Sequence, residues 1–367
     1  MNMTTTVKMT LVLFLLCSGF FHFAFASNRL RFFHLRGLQK YWNSSLNACN
    51  QENESFVTLY DEDDADFTAN FPGLQKTAWL GLHWVGDRNT TWSDGVPITF
   101  NKSSVHVTNG EQICEAIHIN TWKGFNCSER KPFMCYKGNN YTLIENKKNW
   151  CQALQYCRKY FTDMVSISND TQNNKVIQTG KNTSFWIGLL HDEWEWTDKS
   201  CSSFREWCDP SYLESKDDKQ CTIFSKSLHR LNCKNDKLSF CSKGIVRIKV
   251  IEQPLTWEQA FDYCKAKHTG LLWIEDEEDQ KAVEQWLNHT MVNGSFWIGL
   301  RQSRVFGFWI WTSDRTVNYS NWKNGKQPEM PLSNYCGVIE KEDYRWRDEN
   351  CWLQLPFLCE EEIVFMN

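Results

Sequence analysis

The sequence predicts a mixed α+β fold, built three times over and stapled by disulfides. Trp-Leu-Gly-Leu at Trp79 recurs as Trp-Ile-Gly-Leu at Trp186 and at Trp297. A cysteine stands 30, 29 and 33 residues before these motifs, at Cys49, Cys157 and Cys264, with periods of 108 and 107. Each copy closes with two cysteines eight apart: Cys127 and Cys135, Cys233 and Cys241, Cys351 and Cys359. A further cysteine, Cys114, Cys221 or Cys336, lies 12 to 15 residues earlier. A period of about a hundred residues repeated in register marks three copies of one unit.

Each unit opens as a helix. In TWEQAFDYCKAKH, residues Trp257, Ala260, Phe261, Cys264 and, one turn on, His268 form one apolar stripe. LLWIEDEEDQKAVEQWL then reads as a strand, an acidic helix start and a second amphipathic helix. The acids from Glu275 to Asp279 suit a helix N-terminus, where they complement the dipole, better than a metal site. After the Trp-Ile-Gly-Leu motif the periodicity is lost, which predicts short Trp-rich strands and long loops.

A chain of 367 residues is long enough for two or three domains. A net charge of −4 with both signs mixed points to neither nucleic acid nor an acidic membrane surface. Its 19 Trp and 16 Cys fit an extracellular, disulfide-bonded protein. VKMTLVLFLLCSGFFHFAFAS, with Ala24-Phe25-Ala26 as a small-x-small site, reads as a signal peptide over residues 1–26. The alternative is an uncleaved signal anchor; His22 and the shortness of the apolar run weigh against it. Eleven Asn-x-Ser/Thr triplets, at Asn43, Asn53, Asn89, Asn101, Asn126, Asn140, Asn169, Asn182, Asn288, Asn293 and Asn318, predict a heavily glycosylated secreted chain. Asn126 is the weakest acceptor, since Cys127 lies inside its triplet.

A helix cysteine, Trp-Ile-Gly-Leu, a Trp-x-Trp such as Trp194-Glu195-Trp196 or Trp309-Ile310-Trp311, and then three cysteines: this pattern resembles the C-type lectin-like domain. The resemblance covers nearly the whole mature chain, as domains at 28–137, 138–242 and 243–362. The tandem layout is similar to the mannose receptor and secretory phospholipase A2 receptor group. It implies two helices flanking antiparallel sheets, with a long loop region carrying the binding site. It also implies pairing first with fourth and second with third: Cys49–Cys135 and Cys114–Cys127, Cys157–Cys241 and Cys221–Cys233, Cys264–Cys359 and Cys336–Cys351. Closing loops of that size stabilises by about 4–5 kcal/mol in a chain-entropy treatment. Cys151, Cys201 and Cys208 remain. Cys201 and Cys208, seven apart in one loop, are placed for a local pair. Cys151 is then odd, some 240° round its helix from Cys157, and a disulfide-linked homodimer through Cys151 is expected.

Sugar-binding members of the family hold calcium with oxygens from a triplet around a cis proline, an acid two residues before the second cysteine, and a Trp-Asn-Asp motif. Calcium asks for six to eight oxygens, several of them carboxylate. Unit 1 has no such triplet between Trp92 and Cys114, and Gly124 stands where the aspartate belongs. Unit 2 lacks the triplet and ends His229-Arg230-Leu231-Asn232-Cys233; Asp209, Asp217 and Asp218 read as solvated loop acids. Unit 3 keeps Gln327-Pro328-Glu329, has Asn334 two residues before Cys336, and reads Trp346-Arg347-Asp348. The resemblance therefore implies a degraded calcium and carbohydrate site at Gln327, Glu329, Asn334 and Asp348, nearer the galactose than the mannose arrangement. The Arg347 guanidinium either repels calcium, by about 4 kcal/mol per unit-charge pair at 4 Å and an effective dielectric of 20, or replaces it by bridging Glu329 and Asp348.

The function so implied is non-enzymatic recognition of glycans, glycoproteins or extracellular protein ligands, with calcium as a candidate cofactor in domain 3. The alternative is a calcium-independent scaffold that binds proteins alone. No His-Glu-x-x-His, nucleophile elbow or phosphate loop supports an enzyme. His191, Asp192 and Glu193 read as strand-edge or loop polar residues, pointing to alternate faces.

Overall fold

The computed structural model describes residues 29–74, 77–86, 90–107, 110–208, 220–303, 307–328 and 335–367. The signal peptide lies outside the described residues. The chain first forms β1 (Phe32–Lys40), α1 (Trp42–Asn50), β2 (Ser55–Phe56), α2 (Glu62–Ala69) and β3 (Ala78–Trp84). A second segment carries β4 (Thr90–Trp92), β5 (Ile113–His118), β6 (Thr121–Asn126), β7 (Lys131–Lys137) and β8 (Asn140–Lys148). It continues through α3 (Trp150–Tyr160), β9 (Asp163–Met164), α4 (Asp170–Thr179) and β10 (Phe185–His191). Next come β11 (Trp194–Trp196), β12 (Cys221–Phe224), β13 (Leu228–Leu231) and β14 (Lys237–Lys243). The last segment carries β15 (Val246–Leu255), α5 (Trp257–Lys267), β16 (Gly270–Leu271), α6 (Glu277–His289) and β17 (Ser295–Gln302). It ends with β18 (Trp309–Trp311), β19 (Tyr335–Glu340), β20 (Trp346–Asn350) and β21 (Leu355–Glu362).

Local chemistry starts the helices where the sequence places them. Asp61, Asn149, Asn169 and Asp276 each accept the backbone N–H three residues on, and Thr256 with Gln259 forms a capping box. The acids around Asp276 are thus helix-start residues. Asp279 also accepts from the Leu30 N–H and from Arg29, tying α6 to the first segment. His268 departs from the predicted stripe: it is the extended C-cap of α5.

Two indole hydrogen bonds lock the opening half of every unit. Trp42, Trp150 and Trp257 donate from the first helix to the carbonyls of Leu80, Ile187 and Ile298 in the Gly-Leu strand. Trp79, Trp186 and Trp297 donate back to Lys40, Lys148 and Leu255 just before the helix. These bonds tie the end of the first strand, the helix and the Trp-Ile-Gly-Leu strand into one half, and its tryptophans are core residues rather than surface anchors.

The three predicted sheet-plus-helix units are present, each a seven-stranded sheet. Their equivalent orders are β1-β14-β3-β12-β13, β8-β7-β10-β5-β6 and β15-β21-β17-β19-β20. The third is made wholly from the third repeat. The first two have exchanged their closing halves. β3 pairs with β11 of the next repeat, and β10 pairs with β4 of the preceding one. The glycine of the Trp-Ile-Gly-Leu motif records the exchange: a Cβ on Gly81 would meet Thr197 Oγ1 at 2.8 Å, and one on Gly188 would meet Ser93 Oγ at 2.6 Å. Residues 90–191 therefore form one continuous unit that begins with its second half, inserted into a unit made of 30–84 and 194–243.

This corrects two of the disulfides that the resemblance implies. Cys49 bonds Cys241 and Cys135 bonds Cys157, in place of Cys49–Cys135 and Cys157–Cys241. The other four are closed as implied: Cys114–Cys127, Cys221–Cys233, Cys264–Cys359 and Cys336–Cys351. The physical reason is the junction between repeats. Gly138-Asn139 joins β7 to β8 in two residues, with Gly138 at φ +58° and Lys137 opposite Asn140. Glycine at the first central position suits a two-residue hairpin turn. The hairpin gives β7 the strand beside it that β1 would otherwise supply, so β1 pairs with β14. The next junction, Gly244-Ile245, puts a β-branched residue in the turn, and no hairpin forms between β14 and β15.

The remaining cysteines differ from expectation too. Cys151 bonds Cys201, and Cys208 is left free and exposed. Cys151 does face away from Cys157 on α3, but toward the segment after β11, which the exchange brings alongside. No local Cys201–Cys208 pair forms, and the predicted odd thiol at Cys151 is not there.

The third unit shares a core with the first. Phe67 stacks on Trp286 of α6 at 4.3 Å, and Phe33 meets the same ring edge-on. Beside this contact, Arg247 pairs with Asp61 at 2.6 Å, Asp64 at 3.2 Å and Glu361 at 2.8 Å, and Lys249 pairs with Asp61 and Asp63.

Candidate functional site

In the third unit the root of the predicted site is fixed by the core. Trp346 is buried and donates to Gln280 Oε1 at 3.0 Å, with the Trp311 and Trp322 rings edge-on to it. The Trp346 N–H donates to Asn321 O, and the Lys323 N–H to Trp346 O, which pins residues 321–323 to the start of β20. Beyond this root Gln327 is exposed and Pro328 half-buried. No peptide bond among the described residues is cis, including that before Pro328. Glu329 and Asn334 lie outside the described residues. Asp348 is half-buried on β20, opposite Gly337.

Arg347 does not bridge to Asp348. Successive side chains of a strand point to opposite faces. Arg347, opposite Val338, sends its guanidinium to Glu340 Oε1 at 2.5 Å and to Ser295 Oγ at 3.3 Å. Glu340 is the last residue of β19, and Ser295 pairs with it. The position that supplies an asparagine oxygen in calcium-binding relatives is thus occupied by a cation already engaged elsewhere. Among the described residues no group of three or more His, Cys, Asp or Glu side chains is gathered for a metal.

In the other two units the equivalent aspartate positions are filled. Gly124 on β6 has no room for a side chain: a Cβ would meet Val105 Cγ2 at 2.5 Å and Ile113 Cγ2 at 2.6 Å. The equivalent residue on β13 is Arg230, whose guanidinium lies over the Trp194 ring at 5.6 Å. Asp209, Asp217 and Asp218 lie outside the described residues.

Two features were not legible in the sequence. His191 and Asp192 are buried where the chain crosses between the exchanged units, not exposed at an edge. His191 meets Thr90 Oγ1 at 2.9 Å and Glu115 Oε1 at 3.1 Å; Asp192 accepts from Gln112 at 3.0 Å and Arg205 at 2.5 Å. Ser103 Oγ lies at 3.4 Å from the same His191 nitrogen that Glu115 meets. Second, Tyr335, Trp352 and Leu353 are exposed beside the Cys336–Cys351 bridge, Trp352 by 64 %.

This disulfide-stapled fold, built three times, is that of the C-type lectin domain. The family described as "Lectin C-type domain" matches residues 38–137, 146–243 and 253–361, and the chain belongs to it. It is similar to the secretory phospholipase A2 receptor of Bos taurus, 25% identical over 273 residues covering 63% of this chain and 18% of the receptor. It is also similar to the C-type mannose receptor 2 of Homo sapiens, 30% identical over 112 residues, covering 30% of this chain and 7% of that one. The chain thus spans less than a fifth of the length of these curated relatives. Among solved structures, a calcium-independent type II antifreeze protein is 26% identical, covering 33% of this chain and 89% of that one, with a TM-score of 0.29. Human lithostathine is 22% identical, covering 31% of this chain and 82% of that one at a TM-score of 0.29. The chain thus carries three lectin-like domains of this family. Among the described residues no helix is long and apolar enough to cross a membrane.

Proposed function

We propose that this is a secreted, non-enzymatic recognition protein that binds an extracellular protein or glycoprotein without a resident calcium ion. The observation that carries this reading is Arg347: at a position where calcium-binding relatives offer oxygen, its guanidinium is paired with Glu340. Two carboxylates, Glu329 and Asp348, are then too few for a cage that wants several. Exposed Tyr335, Trp352 and Leu353 beside the Cys336–Cys351 bridge favour a protein-binding face, since aromatic side chains dominate such contacts. Export and glycosylation are supported by exposure of every described triplet asparagine; Asn89 alone of the eleven lies outside the described residues. The boundaries 28–137, 138–242 and 243–362 are proposed as those of the repeats, with the first two folding by exchange.

The test is a thermal melt of the full chain with millimolar calcium and with chelator, where equal melting temperatures are expected. Stabilisation by calcium would instead support sugar binding through Gln327, Glu329, Asn334 and Asp348. Replacing Arg347 with Asn and Asn334 with Glu adds two oxygen donors and changes the site charge by two units. That variant is expected to gain calcium-dependent stability.

A further inference from the structure

The inserted unit gathers cations around the turn from β6 to β7. Lys131 on β7 stands directly opposite Lys148 on β8. Lys123 on β6 and Lys131 both bring their ammonium groups to the Phe125 ring, at 5.7 Å and 3.6 Å from its centre. Arg130, exposed in the turn, adds a fourth charge.

Most of this charge is unanswered. Lys131 pairs with Glu129 at 2.7 Å, but Lys123, Arg130 and Lys148 form no ion pair among the described residues. Like charges directly opposite on paired strands destabilise a sheet. Lys148 is half-buried, and burial together with the Arg130 charge pushes its ammonium below the ordinary value. Left alone the cluster costs stability, and an anion resting on it relieves that cost.

The fold does not require the cluster, as the other two copies show. In the third unit the equivalent strand pair is Leu255 opposite Leu355. Arg347 there takes the position of Lys123 and is answered by Glu340 at 2.5 Å; in the inserted unit His118 stands where Glu340 does. The first unit keeps Lys40 opposite Lys237, but has His229 at the position of Lys123 and Asp236 at that of Arg130. The inserted copy alone combines all four cations.

The character of the face selects its partner. Phe125 offers no free apolar anchor, since Lys131 caps its ring and Trp186 meets it edge-on. Protein interfaces rest on such anchors, whereas a linear polyanion needs only spaced cations and the release of its own counterions. For an exported chain, as proposed above, polyanions of this kind are sulfated polysaccharides.

We propose that the face formed by Lys123, Arg130, Lys131 and Lys148 binds a sulfated polysaccharide, whose sulfates pair with the cations that no acid answers. It lies in a different unit from the degraded calcium position, and it rests on the exported reading only for the choice of polyanion.

The probe is heparin, titrated calorimetrically into the full chain after enzymatic trimming of N-glycans, since Asn126 follows Phe125 on β6. Saturable binding is expected, weakened by salt and tighter than that of poly-glutamate. Lys123→Gln, at an exposed position, should weaken it about two- to fivefold, the size of an exposed ion pair. Combining Lys123→Gln, Arg130→Gln and Lys148→Gln should weaken it about tenfold or more. That triple variant should melt no lower than wild type, because it relieves like-charge crowding. Combining Lys265→Gln, Lys267→Gln and Lys326→Gln removes the same charge from exposed positions of the third unit and should leave affinity unchanged. No saturable binding, wild-type affinity in the first triple variant, or an equal loss in the second overturns the proposal. So does a lower melting temperature in the first, which would assign these cations to the fold; Lys123→Gln then still reads the contact. Poly-glutamate bound as tightly as heparin would make the face a surface for acidic protein segments instead. None of these outcomes bears on the calcium melt.

Discussion

The sulfurs of Cys135 and Cys157 are bonded across 22 residues, joining β7 to the helix that follows it in the same inserted unit. Residues 90–191 hold a complete sheet, two helices and two internal bridges, Cys114–Cys127 and Cys135–Cys157. Expressed alone with Cys151→Ser, this segment is expected to fold, with protected amides in β7, β8 and β10. Residues 28–137 alone should not, because β3 and β7 lose their partners. Non-reducing peptide maps should link Cys49 to Cys241; a Cys49–Cys135 peptide would refute the exchange.

The junction Gly138-Asn139 is expected to decide between exchanged and unexchanged pairing. In the chain-entropy treatment the two disulfide sets differ by about 0.5 kcal/mol, too little to choose. Inserting about ten Gly/Ser residues between Gly138 and Asn139 removes the tight hairpin. Mass spectrometry of non-reduced digests should then detect Cys49–Cys135 alongside Cys49–Cys241. Their absence would move the cause to the crossing near His191 and Asp192.

Asp61 gives the contact between the first and third units an acid limb. Burial works to raise its carboxyl, but Arg247 and Lys249 overcome this and hold it well below the usual carboxylate range. A depressed folded value means that the stabilisation is present above the unfolded value near 3.8 and is lost as pH falls below it. Asp61→Asn should therefore lower the melting temperature at pH 7, and the gap from wild type should narrow in acid. A gap constant with pH would assign the loss to the helix cap instead.

Cys208 is expected to be the reactive thiol. An alkylating probe on the native, unreduced protein should label Cys208 and leave Cys151 unlabelled. Any disulfide-linked dimer on a non-reducing gel should disappear in Cys208→Ser and persist in Cys151→Ala. Labelling at Cys151 would place the odd thiol where the helix geometry alone suggested.

Sequence alone determined the unit, because the features that define it are local. Helix caps, the stripe through Trp257, Ala260 and Cys264, and the indole-locked strand all act within one half-unit. The filled positions at Gly124 and Arg230 were likewise legible as missing aspartates. Tertiary structure decided which half-units combine. Two homologous copies offer each strand two nearly equivalent partners, and periodicity is blind to that choice. The available signal was the Gly-Asn turn between β7 and β8, a hairpin former hidden in what reads as a domain linker. The direction of Arg347 was also beyond the sequence, since Glu340 and Ser295 reach it only across paired strands. The packing of Phe67 in α2 on Trp286 in α6 was decided there too, because it joins units that repeat analysis treats as independent.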